Sequence, residues 1–151
     1  MIGLLQRVRQ ARVEIDGETV GAIDQGLLVF VCAEPGDGTD QVTRFVDKVL
    51  KLRVFADEAG RMNRSVVDAG GGLLLVSQFT LAADTRGGNR PSFSAAAPPP
   101  HGRAIYDAVV ALAGARHPFV ASGRFGADMQ VHLVNDGPVT IPLRVEPAGQ
   151  P

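Results

Sequence analysis

Four consecutive residues, Ser77-Gln78-Phe79-Thr80, close the apolar run Leu73 to Val76 and put two hydroxyls, a carboxamide and an aromatic ring where a strand gives way to a loop. Such a segment can offer polar groups and backbone N–H donors to an ester or amide, but a hydroxyl nucleophile normally needs an adjacent base. His101, His117 and His132 are the only histidines, and none is close in sequence. A strand end rich in Ser and Thr more often satisfies its own backbone. Gly137-Pro138 is a second feature, because glycine lets backbone approach a ligand closely and proline fixes the chain's direction. A plain turn is the alternative there. A third is the glycine-rich segment Gly123 to Gln130, whose Phe125 and Met129 can either fill a core or flank a ligand. Arg86 and Arg90, with Arg7, Arg9 and Arg12 near the start, can form a local phosphate-binding surface or simply be solvated. Isolated histidines and the single Cys32 make a poor ligand set, so neither a metal nor a cofactor is expected.

These groups need elements to hold them. Ala11, Val13 and Ile15 alternate with Arg12 and Glu14, Asp16-Gly17 supplies a tight turn, and Val20 to Ile23 is the return strand. Leu27 to Val31 lacks alternation, which predicts a central strand buried on both faces. Val42, Phe45, Val46, Val49 and Leu50 carry the stripe of an amphipathic helix. Strands are predicted around Arg53-Val54-Phe55 and Leu73 to Val76, followed by a long loop from Ala82 to Pro100, a length that usually signals function. Ile105, Ala108, Val109, Leu112 and Ala113 mark a second helix, ended by Gly114 and Pro118. Val131 and Leu133, then Val139 to Val145, are read as two last strands, with Pro142 making the final one an edge. The order of elements predicts an α+β domain over residues 1–146, with a flexible tail at 147–151.

With 151 residues, 15 Lys+Arg and 16 Asp+Glu, the chain has a formal charge of −1, which disfavours a polybasic nucleic-acid arm. The longest apolar run, Leu27 to Ala33, is far shorter than the ~18 residues that span a bilayer. No export signal is visible in Met1 to Arg7, and one cysteine excludes an intrachain disulfide, so a reducing, cytoplasmic location is expected.

Taken together, Ser77-Gln78-Phe79-Thr80, Arg90-Pro91-Ser92-Phe93-Ser94, Phe125-Gly126-Ala127-Asp128-Met129 and Asn135-Asp136-Gly137-Pro138-Val139-Thr140 stand in the order of one family. From Met1 to about Val145 the chain resembles the D-aminoacyl-tRNA deacylases of the bacterial and eukaryotic type. The resemblance implies mostly antiparallel, barrel-like β-sheets with two packed amphipathic helices. It implies hydrolysis of the ester between a D-amino acid, or glycine on a non-cognate tRNA, and the tRNA's terminal adenosine, with L-aminoacyl-tRNA rejected. Ser77, Gln78, Phe79 and Thr80 would face the ester, with N–H groups near Phe79 and Thr80 stabilising the oxyanion. Attack by Thr80 and attack by water assisted by the adenosine 2′-OH both remain open. Phe125 and Met129 would flank the adenine. Gly137-Pro138 would be a cis pair reaching into the partner's site in a homodimer, propped by Arg7. Ala82 and Gly87 depart from the aromatic residue and lysine that many members carry there. The competing classes are a non-catalytic RNA-binding dimer and a hydrolase of small D-aminoacyl esters.

Overall fold

A computed structural model describes residues 1–147; most of the expected tail, 148–151, lies outside the described residues. Strand β1 (Ile2–Ile15) is the organiser. Along one edge it pairs with β2 (Glu18–Ile23) through Ala11 to Ile15 and with β3 (Gly26–Cys32) through Ile2 to Val8. Along the other edge runs the last strand, β8 (Gln130–Arg144). Beyond β3 the sheet continues with β6 (Gly72–Ser77) and β7 (Val120–Ser122), both parallel to their neighbours. The sheet curls until β2 meets β7: a Cβ on Gly21 would lie 2.6 Å from the Ser122 carbonyl oxygen. The result is α+β with an almost closed barrel-like sheet, as expected, and three of that sheet's five strand pairings are antiparallel.

Parallel neighbours need long crossovers, and the helices supply them. Helix α1 (Thr39–Lys51) lies between β3 and β6, with Asp40 in its first turn and Lys48 and Lys51 in its last, which suits the helix dipole. The short α2 (Val66–Ala69) is capped by Ser65, whose hydroxyl accepts the Asp68 N–H. Helix α3 (Pro99–Arg116) links β6 to β7, and its first-turn prolines lack N–H groups that would have no helical partner there. Leu27, Val29, Leu73 and Leu75 face the two long helices, which pack Phe45, Val49, Tyr106 and Val109 against them. Leu28, Leu74 and Val76 face the barrel interior with Val8 and Val13. Strand β3 is therefore apolar without alternation because both faces are covered.

Three expectations are corrected. The segment around Arg53-Val54-Phe55 is only the two-residue β4 (Phe55–Ala56), paired with β5 (Met62–Arg64) in a separate ribbon. Ala108 is exposed, and Tyr106 takes its place in the buried stripe of α3. The two final strands are one continuous β8, which runs through Asn135-Asp136-Gly137-Pro138 without ending. It is an edge strand, as Pro142 predicts, pairing with β1 alone. Among the described residues no helix is long and apolar enough to cross a membrane.

Candidate active site

Two crossovers bring the carboxyl ends of β3, β6 and β7 to one end of the sheet, the place where open parallel sheets hold ligands. A cavity of about 640 Å³ opens there. Val31 to Ala33 at the end of β3, Val76 to Phe79 at the end of β6, Phe125 to Ala127 after β7 and the start of α3 line it. Not one of its lining side chains is charged.

Val31 stands opposite Ser77, and the Gln78 N–H donates to the Val31 carbonyl at 2.8 Å, so the register of β3 and β6 sets where the segment leaves the sheet. The chain then tightens into a 3-10 turn, Phe79–Ala82. Gln78 precedes that turn and makes no capping bond, which leaves the N–H groups of Phe79 and Thr80 as the turn's first donors, without partners inside it. The Gln78 carboxamide donates to the Thr80 hydroxyl at 2.5 Å. Phe79 is 57% exposed and meets Phe93 of the long loop edge-on, their ring centres 5.2 Å apart.

Phe125 sits in a tight turn closed by the Ala127 N–H to the Arg124 carbonyl at 3.3 Å. Gly126 occupies that turn's third position at φ +77°, a left-handed conformation suited to glycine. The turn presents Phe125 to the cavity beside Met129. Sequence reasoning missed two lining groups. Tyr106, the chain's only tyrosine, donates from its hydroxyl to the Leu75 carbonyl at 2.8 Å; burial, partly offset by the Ser122 hydroxyl, pushes its pKa up to about 12. Cys32 is buried on the β3 side, and that burial raises its thiol above the usual range. The position of Tyr106 beside Ile105 on a helical stripe was the available signal for the first; nothing in the sequence marks the second.

Gly137, Pro138 and Arg7 are elsewhere. Between the pairs Gln6–Thr140 and Val8–Asn135, β1 contributes only Arg7 while β8 contributes Asp136 to Val139, so those residues leave the ladder as an excursion. The Gly137-Pro138 bond is cis, and Gly137 has φ +132°. The Arg7 guanidinium donates to the Asp136 carbonyl at 3.0 Å and to the Val54 carbonyl at 2.7 Å. Arg7 stands opposite Leu27, four residues along β3 from Val31, which is roughly 13 Å of strand. Neither Gly137 nor Pro138 lines the cavity of its own chain. The five arginines considered as one phosphate surface mostly have carboxylate partners: Arg7 and Arg9 near Asp136, Arg12 with Glu14, and Arg86 with Asp84.

A family model described as D-Tyr-tRNA(Tyr) deacylase matches residues 4–144. A D-aminoacyl-tRNA deacylase of Paracidovorax citrulli (strain AAC00-1) is 72% identical over 149 residues, covering 99% of this chain and 96% of that protein. Among solved structures, a c-Myc DNA unwinding element binding protein superposes with a TM-score of 0.92 at 38% identity, over 97% of this chain and 99% of that one. A probable eukaryotic D-amino acid tRNA deacylase, with a TM-score of 0.79 at 17% identity over 94% and 97% of the two chains, shares the fold. Since the family match spans almost the whole described chain and includes both the cavity and the excursion, the chain belongs to the D-Tyr-tRNA(Tyr) deacylase family.

Proposed function

We propose that the chain hydrolyses the ester joining a D-amino acid to the 3′-terminal adenosine of tRNA, releasing both. The observation that carries this is the turn Phe79–Ala82, whose first residue lines an uncharged cavity together with Ser77, Gln78, Phe125 and Met129, with Thr80 next in the chain. An aminoacyl ester is already activated, so orientation and stabilisation of the developing oxyanion supply most of what is needed. Phe79 and Thr80 give the oxyanion donors, while Ser77 and Gln78 face the ester. Phe125 and Met129 flank the adenine, in keeping with the stacking of unpaired bases on aromatic faces. Water attacks with help from the adenosine 2′-OH. This reading is supported by the absence of any His, Asp or Glu among the cavity's lining residues and by the bond from Gln78 to the Thr80 hydroxyl.

Chiral selection belongs to a second copy of the chain, whose Gly137-Pro138 excursion, propped by its own Arg7, meets the substrate's Cα and clashes with an L side chain. Exclusion of this kind has no handle on glycine, so glycyl-tRNA is hydrolysed too.

The test is turnover of D-Tyr-tRNA, L-Tyr-tRNA, Gly-tRNA and D-tyrosine methyl ester by the wild type. Fast hydrolysis of the first and third, with the L ester spared and the methyl ester poorly used, is expected. Equal use of the methyl ester would make the protein a small-ester hydrolase. Rejection of Gly-tRNA comparable to that of L-Tyr-tRNA would replace exclusion by positive recognition of a D side chain.

A further inference from the structure

A second depression adjoins the cavity. It is an open groove of about 660 Å³ that shares Tyr106, Phe125, Gly126 and Ala127 with it. The two differ in charge: the cavity wall has no ionised side chain, whereas Arg103, Arg124 and Asp107 line the groove. The Arg103 guanidinium carbon lies 5.1 Å from the centre of the Phe125 ring, and Arg124 is the residue before Phe125 in the turn. Among the described residues seven arginines form ion pairs, Arg7, Arg9, Arg12, Arg44, Arg86, Arg116 and Arg144, and neither Arg103 nor Arg124 does. Both are exposed.

A tRNA is a polyanion, and this chain carries a formal charge of −1, so attraction to the substrate must come from local cations. If adenine rests against Phe125, the nucleotide on its 5′ side leaves the cavity past that ring, and the groove is the adjoining surface with free guanidinium groups. Arginine forks match phosphate oxygens in pairs. We infer that Arg103 and Arg124 bind the phosphodiester on the 5′ side of the terminal adenosine, making the groove the exit track for the tRNA 3′ strand. This rests on the reading of the cavity as the seat of the aminoacylated adenosine. Arg103 and Arg124 are positioning residues, acting on the substrate's backbone and not on its ester.

The measurement is kcat and KM on D-Tyr-tRNA against salt concentration for the wild type, Arg124→Gln, Arg103→Gln and Arg124→Lys, with 3′-O-D-tyrosyl-adenosine, which has no phosphodiester, as the companion substrate. Each Gln variant should raise KM for the tRNA roughly fivefold at low salt, as an exposed ion pair at the upper end of its usual strength would. Each should also flatten the plot of log(kcat/KM) against log salt, by up to about 0.7, the single-strand value for one phosphate contact. Arg124→Lys should keep the wild-type slope, and the loss on tyrosyl-adenosine should be smaller than on tRNA. Wild-type slopes in both Gln variants, or equal losses on the two substrates, would overturn the inference. A wild type that leaves D-Tyr-tRNA intact would instead overturn the underlying reading.

Discussion

The cavity and the Gly137-Pro138 excursion are built by opposite means. The cavity grows from the interior of the fold: parallel strands end together, their apolar side chains continue into its walls, and the turn that begins at Phe79, one of its lining residues, is placed by strand register. The excursion is pushed out of an edge strand, with Gly137 and Pro138 exposed, and is held by one arginine that bonds backbone on two sides. A site that must bind is shaped by packing, and its properties are spread over many residues. A rigid projection with no target in its own chain depends on a single strut. Substitutions should therefore act differently in the two regions: side chains around the ester are replaceable where backbone does the work, and Arg7 is not.

The largest effect is expected from removing a backbone donor. Thr80→Pro deletes one N–H at the start of the 3-10 turn and should lower kcat on D-Tyr-tRNA by roughly 10²–10³, the usual loss for one oxyanion donor. An unchanged denaturation midpoint would confirm that the domain still folds. Arg7→Ala comes next. It leaves the Asp136 and Val54 carbonyls without their donor and should cost about 2–3 kcal/mol in urea unfolding. The resulting misplacement of the excursion should reduce turnover roughly a hundredfold.

Tyr106→Phe tests the wall of the cavity. Loss of the bond to the Leu75 carbonyl should cost about 1 kcal/mol at neutral pH. The native tyrosine's pKa is raised from 10.0 to about 12, so the folded state holds the proton longer than the unfolded one. Its stabilising contribution is complete below pH 10 and is lost as pH rises towards 12, by roughly 1–2 kcal/mol. Unfolding followed at pH 9 and pH 11.5 should show that decline in the wild type and a shallower one in Tyr106→Phe. The smallest effect belongs to Thr80→Ala, which removes a hydroxyl and keeps the N–H. It should retain kcat within about tenfold, well short of the roughly 10²–10⁴-fold that a lost acid–base group costs. An acyl ester trapped on Thr80 in the wild type would reverse the assignment of the nucleophile.

The same contrast explains what was legible in sequence. The apolar run of β3 and the stripe Val42 to Leu50 are direct consequences of burial, and both stand where periodicity put them. Ser77-Gln78-Phe79-Thr80 could be placed at a strand end, because Leu73 to Val76 is unmistakably apolar. The N–H geometry of the turn could not be read, since it follows from pairing with β3. Asn135-Asp136-Gly137-Pro138 has the composition of a strand-ending turn, so β8 reads as two strands. Only its pairing with β1 across Arg7 keeps it continuous. Arg103 and Arg124 lie far apart in the sequence, and the turn that carries Phe125 is what brings them to one groove.

In the proposed dimer the cavity of one chain and the excursion of another make one working site. Thr80→Pro and Arg7→Ala injure different halves, so a dimer purified through two tags, one on each variant chain, pairs an intact cavity with an intact excursion at one of its two sites. Such a mixed dimer should regain about half of the wild-type turnover of D-Tyr-tRNA, while each parent homodimer stays impaired. A mixed dimer no more active than its parents, or a wild-type chain fully active as a monomer by light scattering, would contradict it.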